Sequence, residues 1–358
     1  MSGYLLVHHF SLCHFAVTIC TMATQTSYAL KDKRVLVTGA TGFIGGRLAE
    51  RLALEEDTAV TGTGRSLDKV PFLHDTPAVL QRADLLDKEA MAQAIAGQEI
   101  IFHVAAQKGN QIDPEISLRS NVEATDLLLR LAAESGVQRV IYTSSVNVYG
   151  PPATGQTLVK ESDPIITDLR DVYGRTKAIA ELRARELAAE LGVDLVVVRP
   201  GMVYGPRAQS WILNLCRYVK KGVPVIFGKG NGLACPVYID NLIDGMLLAA
   251  ITPAAYNETY NFCDHPVTWR DYFRYLGQIS GRKPRAVPYW IAWPVAVLNE
   301  RFHMGLPLTP ERLHFYDTQA VYDMSKARAQ LGWRQRISIE EGMHRSGEWL
   351  REEGLLEE

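Results

Sequence analysis

Two rhythms of apolar residues alternate along this chain. From Lys31 onward, short unbroken apolar runs give way to stretches in which apolar positions recur every three or four residues. "RVLVTG" (34–39) predicts a buried strand and "FIGGRLAERLALE" (43–55) a helix. Strands follow near "TAVTGTG" (58–64) and "AVLQRA" (78–83), then a helix over "KEAMAQAIA" (88–96). The run "EIIFHVAA" (99–106), the helix "RSNVEATDLLLRLAAES" (119–135), the strand "RVIYTSS" (139–145), a helix from about Asp171 to Leu191 and "DLVVVRP" (194–200) complete the series. Strands apolar throughout imply a sheet covered on both faces, and the helices between them imply parallel crossovers. The expected fold is α/β, a doubly wound parallel sheet of Rossmann type.

Beyond Pro200 the rhythm loosens. Gly and Pro punctuate "GMVYGPR", "KGVPVIFGKGNG" and "GRKPRAVP", which predicts a smaller, irregular substrate lobe. "PVYIDNLIDGMLLAA" (236–250) reads as a strand and a helix that return to the main sheet. The expected organisation is a leader at 1–30, a nucleotide-binding core at 31–200, and a lobe at 201–358 from which about 236–263 rejoins the core. In the leader, "YLLVHHFSLCHFAVTIC" is apolar but broken by His8, His9, Ser11 and His14, with no basic residue before it. It fits neither a secretory signal nor a span of about 20 apolar residues. A start codon placed upstream of the true one at Met22, or a disordered leader, is expected, with a membrane anchor as the alternative.

Charge and cysteine usage narrow the classes. A formal net charge of −2 gives no long-range attraction to nucleic acid or anionic lipid, so no nucleic-acid partner and no stable membrane span are expected. The cysteines at 13, 20, 216, 235 and 263 are odd in number and show no metal-ligand spacing; CxxC and HExxH are missing from the sequence. A reducing, cytoplasmic setting and no metal are expected.

Gly39, Gly42 and Gly45 stand at three-residue spacing between a strand and a helix in "VLVTGATGFIGGRLAE". Glycine there permits a tight turn, lets backbone approach a pyrophosphate, and lets helix pack close to strand. The helix N-terminus then offers N–H groups to the phosphates. About twenty residues on, where an acid would hold a ribose 2′-hydroxyl, the chain has Gly64 and Arg65. An arginine grips a 2′-phosphate, so NADP(H) is favoured over NAD(H). The alternative is an Arg65 solvated at the surface or stacked on adenine. Asp84 in "RADLLD" could accept from the adenine amino group or cap the following helix.

"TGATGFIG", "HVAA", "YTSSVNVYG", "YGRTK" and "RPGMVYGP" together resemble the extended short-chain dehydrogenase/reductase superfamily, also called the NAD-dependent epimerase/dehydratase family. The resemblance runs from about residue 33 to the C-terminus and implies a homodimer as the common assembly. It makes Tyr173 the catalytic acid/base, and Lys177, one helical turn along, the cation that favours the phenolate and holds the nicotinamide ribose. It makes Ser145, ahead of Ser144, the hydroxyl that binds the substrate oxygen. It also implies cofactor contacts from Gly39, Thr41, Gly42, Phe43, Ile44 and Gly45 in the turn, from Arg65, Asp84, Leu85 and Ala105 at later strand ends, and from Tyr173, Lys177 and Pro200. Asn121 matches a family position that supports the site through its backbone, with a surface role as the alternative. His103 reads as a core histidine.

The family's reactions separate on details. Dehydratases of the family place Asp-Glu after the catalytic Thr; here Val146 and Asn147 occupy those positions and can do neither job. Sugar-nucleotide enzymes commonly carry an arginine for the pyrophosphate near Ala234, Cys235 and Pro236, and it is missing from that stretch, although Lys229, Arg207 and Arg217 could substitute. "SWILNLCRYV" (210–219) and "AVPYWIAWPVAVL" (286–298) are read either as an apolar substrate wall or as lobe core. The reading that results is a dehydrogenase/reductase resembling the 3β-hydroxysteroid dehydrogenase and dihydroflavonol reductase branch, acting on a secondary alcohol or ketone. The alternatives are a sugar-nucleotide epimerase with tightly bound NAD, and a non-catalytic dinucleotide sensor.

Overall fold

The computed structural model describes residues 30–106, 116, 118–153, 155–305 and 308–356. Seven parallel strands form the central sheet: β1 (Arg34–Thr38), β2 (Ala59–Gly64), β3 (Val79–Arg82), β4 (Ile100–His103), β5 (Arg139–Thr143), β6 (Leu195–Pro200) and β7 (Thr259–Phe262). Their order is β3-β2-β1-β4-β5-β6-β7. The chain therefore winds outward in both directions from β1 and β4, and the crevice between those two strands is where such sheets bind ligands.

The unbroken apolar strands serve two cores. Val35, Val37, Phe102 and Val198 face one buried cluster; Leu36, Ile101, Val140 and Val197 face another. Complete burial of each such side chain is worth about 1.5–3 kcal/mol. Helix α1 (Phe43–Glu55) covers the first face; α2 (Lys88–Ile95), α3 (Ala124–Glu134) and α4 (Val172–Leu191) cover the second. Local chemistry starts and stops them. The Asp87 carboxylate accepts from Ala90 N–H at 3.0 Å, Asp171 accepts from Gly174 N–H at 2.7 Å, and Gly192 closes α4 in the left-handed region at φ +70°.

The 236–250 unit returns to the sheet by its helix, which packs on β5 and β6, and not by its strand. Pro236–Tyr238 pairs with Met202–Tyr204 in a separate two-stranded sheet, and the strand that joins the main sheet is β7, paired with β6. The lobe adds α5 (Asn214–Lys221), α6 (Ile239–Ile251), α7 (Trp269–Ser280), α8 (Tyr289–Phe302), α9 (Pro310–Asp317) and α10 (Ile339–Glu352). Helix α6 is buried along almost its whole length and is tied to α1 by Arg47–Asp240 at 2.7 Å and Arg51–Asp244 at 3.2 Å. The C-terminal segment is pinned to α6 at Asn241. Its Oδ1 accepts from Arg336 and Ile337 N–H, and its carbonyl accepts from Trp333 Nε1 at 2.8 Å.

Ile212, Leu213, Leu215, Cys216 and Val219 are buried in the lobe core, so 210–219 is packing. The 286–298 run forms most of α8. That helix buries Ala292, Ala296 and Asn299 and exposes its other face, Trp290 at 75%.

Candidate active site

The glycine turn lies at the end of β1, against the end of β4. Gly39 adopts φ +70°, and a Cβ there would meet the Ala105 Cα at 2.8 Å. A Cβ on Gly45 would run into the Gly39 carbonyl, so α1 can approach the turn only with glycine at that position. Gly42 caps α1 with no side-chain acceptor for the first-turn N–H groups, which is the arrangement that suits a phosphate. Phe43 and Ile44 begin the helix, Ile44 buried beneath it. Thr41 packs against Gly64, where a Cβ would come within 2.6 Å of the Thr41 hydroxyl.

Arg65 emerges just after β2 with an exposed guanidinium, 4.0 Å from the exposed Asp84 carboxylate. Asp84 is no helix cap. Its carboxylate accepts from Leu86 N–H at 3.0 Å, and Asp87 caps α2. Leu85 beside it is partly buried against the second core, and Pro200 ends β6 buried in register with Phe262.

Tyr173 and Lys177 share the first turns of α4, and Ser145 follows the end of β5. The Ser145 hydroxyl lies close enough to the Tyr173 phenol to act on its pKa. Burial raises the phenol's pKa above its ordinary value, the Asp171 carboxylate adds to the rise, and the Ser145 hydroxyl opposes it. Lys177 is 2% exposed; its Nζ donates to the Thr143 carbonyl at 2.7 Å and lies 4.9 Å from the centre of the Tyr142 ring. The buried hydroxyls of Tyr142, Thr143 and Ser144 meet no hydrogen-bond partner among the described residues. Unsatisfied groups of this kind cost about 1–3 kcal/mol each, and they collect where a ligand's polar groups can satisfy them. Together with the glycine cradle they fit a dinucleotide laid across the β1–β4 crevice.

Asn121 and His103 belong to one hydrogen-bonded chain. Thr38 Oγ1 accepts from Val104 and Ala105 N–H and donates to His103 Nδ1 at 2.8 Å. His103 Nε2 reaches Thr125 Oγ1 at 3.0 Å, which donates to the Asn121 carbonyl at 2.8 Å. Asn121 Nδ2 donates to Thr176 Oγ1 at 3.0 Å, and Thr176 donates to the Tyr173 carbonyl at 3.0 Å. Donors and acceptors balance only if His103 is neutral with its proton on Nε2. Burial agrees, pulling its pKa down to about 3 with help from the Lys177 charge. His103 is thus the core histidine expected. Asn121 is 2% exposed, which removes the surface alternative, and it sits in the π-helical turn Arg119–Glu123 that opens the helix continued by α3. Thr125 and Thr176 escaped the sequence reading because a threonine within a helical pattern carries no signal of its partner.

The family model for the NAD dependent epimerase/dehydratase family matches residues 35–263. A 3-beta-hydroxysteroid dehydrogenase from Mycolicibacterium neoaurum is 31% identical over 338 residues, 87% of this chain and 89% of the relative. A 2-alkyl-3-oxoalkanoate reductase from Shewanella oneidensis is 28% identical over 341 residues, 88% and 86% of the two chains. Among solved structures, UDP-glucose 4-epimerase from Thermotoga maritima, with UDP-glucose bound, superposes with a TM-score of 0.72 at 25% identity, covering 89% of this chain and 99% of that one. Matching over the whole nucleotide-binding core and both outer strands of its sheet, the chain belongs to the NAD dependent epimerase/dehydratase family, the extended short-chain dehydrogenases/reductases.

Proposed function

We propose that the protein interconverts a secondary alcohol and a ketone on an apolar, sterol- or flavonoid-like substrate, with Tyr173, Ser145 and Lys177 as its catalytic residues. The observation that carries this reading is the juxtaposition of the Tyr173 phenol with the Ser145 hydroxyl beyond the end of β5. Two relatives support the substrate class, since their names specify a steroid alcohol and an alkyl-substituted oxoacid. The stretch in which sugar-nucleotide enzymes carry an arginine is buried here, Ala234 at 1% and Cys235 at 8% exposure.

Each residue has a defined task. Tyr173, a phenol protonated at neutral pH and held further from ionisation by its burial, delivers its proton to the ketone oxygen in reduction and recovers it in oxidation. Ser145 holds that same oxygen and so fixes its distance from the phenol. Lys177, anchored on the Thr143 carbonyl, places a positive charge beneath the site and binds the nicotinamide ribose. The chain Thr38–His103–Thr125–Asn121–Thr176 ties the cofactor strands to the backbone of Tyr173. The bound nicotinamide supplies or accepts the hydride. Gly64 followed by the exposed Arg65 favours NADP(H) over NAD(H), a preference that the neighbouring Asp84 carboxylate limits.

The likeness to UDP-glucose 4-epimerase favours a second reading, epimerisation of a sugar nucleotide with retained NAD. A panel of secondary alcohols, ketones and UDP- or dTDP-sugars, followed by absorbance of reduced nicotinamide, separates the two. Net oxidation or reduction with released cofactor supports the oxidoreductase; product formation without release supports the epimerase. Tyr173→Phe should lower turnover by about 1,000-fold, within the range for loss of a proton donor, with cofactor affinity nearly unchanged. Turnover within tenfold of wild type would remove Tyr173 from the mechanism.

A further inference from the structure

Helix α8 is an apolar helix turned outward. Its inner face, Ala292, Ala296 and Asn299, packs on Leu313 of α9, and Asn299 Nδ2 donates to the Leu308 carbonyl at 2.7 Å. Its outer face exposes Trp290 (75%), Trp293 (42%), Val297 (42%), Leu298 (49%) and Phe302 (66%), with Met304 (58%) just beyond. Within the helix these side chains occupy the half opposite Ala292, Ala296 and Asn299 and form one apolar face. At about 150–250 Å² per large aromatic side chain the face amounts to something on the order of 500 Å², the size at which an exposed apolar patch marks a binding surface.

The charge around this face says what it meets. Between residues 281 and 304 there are four cations, Arg282, Lys283, Arg285 and Arg301, against one carboxylate, Glu300, a net +3 in a chain of formal net charge −2. All four cations are exposed. Arg282 and Lys283 also line a cleft of about 550 Å³ with Arg270, Arg274 and Ile226, and the strand Arg285–Val287 leads from it directly into α8. Glu300 is paired with Arg170 at 3.3 Å.

From this juxtaposition of an outward apolar face and a basic rim, we infer that α8 seats on the surface of an anionic lipid bilayer. Trp, Phe and Leu enter the acyl boundary while Arg282, Lys283, Arg285 and Arg301 reach the phosphates, the pattern of an interfacial helix. With 14 residues, α8 is about 21 Å long at 1.5 Å per residue, short of the roughly 30 Å hydrocarbon layer. No helix among the described residues is long and apolar enough to cross a membrane, so the contact is parallel to the surface. A second copy fits this face poorly, because two-fold contact sets one basic rim against its equal. The apolar leader fits poorly as well, since residues 1–29 contain no acid to neutralise the rim. The Arg170–Glu300 pair puts the C-terminal end of α8 beside Asp171, the cap of the helix bearing Tyr173. Docked this way, the protein offers a lipid-soluble alcohol or ketone a short route between bilayer and site. Docking stands without the oxidoreductase reading; only this route rests on it.

The test uses the full chain, vesicles of phosphatidylglycerol and vesicles of phosphatidylcholine, with sedimentation and tryptophan emission as readouts. Wild type should sediment with the anionic vesicles, more weakly with the zwitterionic ones and at high salt, and its emission should shift to the blue as Trp290 and Trp293 leave water. Trp290→Ser with Phe302→Ser should weaken partitioning by about 100-fold, given what two buried aromatic side chains contribute. Arg282→Glu with Lys283→Glu should weaken it by about tenfold or more. Unchanged cofactor binding in the variants shows that they fold, and the wild-type emission shift decides the matter without them. Failure of wild type to bind either vesicle overturns the inference. So does equal binding by the variants, which would place the contact elsewhere, or a wild-type dimer that Trp290→Ser with Phe302→Ser dissociates, which would make the occupant a second copy. None of these outcomes depends on turnover.

Discussion

Removing Arg199 should destabilise the core beneath α4 more than any change on the protein's surface. Both Arg199 and Glu181 are 0% exposed. Arg199 Nε donates to both Glu181 oxygens at 3.1 and 3.0 Å, and its Nη1 donates to the Tyr149 hydroxyl at 2.6 Å and to the Glu161 carbonyl at 3.3 Å. Tyr149 passes the contact on to Asn261 Oδ1 at 2.7 Å. Glu181 sits one turn beyond Lys177 on α4, so this pair fixes the underside of the helix that carries the candidate site. Arg199→Met leaves Glu181 charged, buried and without its main partner, at a cost of about 3–5 kcal/mol. Arg185, 4.0 Å from Glu181 across a half-exposed side chain, recovers less than about 1 kcal/mol of that. At about 2.1 cal/mol/K per residue, a loss near 4 kcal/mol lowers Tm by about 5 °C for a chain of this length. Differential scanning calorimetry on wild type, Arg199→Met and the double variant Arg199→Met/Glu181→Leu measures the effect. The double variant should regain more than half of the loss, because no charge remains buried. If it is no more stable than Arg199→Met alone, the uncompensated charge is not the cause and the reasoning fails.

Three further outcomes are expected. Lys177→Met should lower turnover and cofactor affinity together, read as a fall in kcat and a rise in the Kd for coenzyme; loss of kcat alone would deny the lysine its ribose contact. Arg65→Asp should shift the ratio of kcat/KM for NADPH over NADH by tenfold or more toward NADH, and an unchanged ratio would make Arg65 irrelevant to the choice. His103 should make the fold acid-sensitive. Its pKa is depressed from 6.5 to about 3, so the stability it contributes is complete above pH 6.5 and is lost as pH falls from 6.5 toward 3. Urea midpoints at pH 7.5 and 5.0 should differ in wild type and differ less in His103→Gln, and equal slopes in the two proteins would contradict the buried neutral imidazole.

Much of the core was legible because its signals are local. The bounds of α1 follow from a glycine turn before it and helical apolar spacing within it, and they agree with Phe43–Glu55 to the residue. Strand β7 was not legible, since "TYNF" is short, half polar, and pairs with residues some sixty positions earlier. The pairing of Pro236–Tyr238 with Met202–Tyr204 is equally non-local. At the site, the meeting of Tyr173 with Ser145 could be anticipated from motifs, whereas the partners of His103 and Asn121 could not. The hardest case was α8. An apolar run looks the same whether its large side chains point into a lobe or out of it; the clue lay in small Ala292 and Ala296, which let the helix pack by its narrow side. Net charge concealed the basic rim in the same way, because −2 for the chain averages over a local +3.

The late arrival of β7 bears on how the molecule assembles during synthesis. Strand β6 is complete at Pro200, but its outer edge stays unpaired until Thr259–Phe262 emerges, and α6 lacks its Asn241 anchors until residues 333–337 follow. A nascent chain halted between those points carries an open, mostly apolar edge, the kind of template on which chains aggregate. Truncated products of this gene should therefore need chaperones far more than the finished polypeptide does.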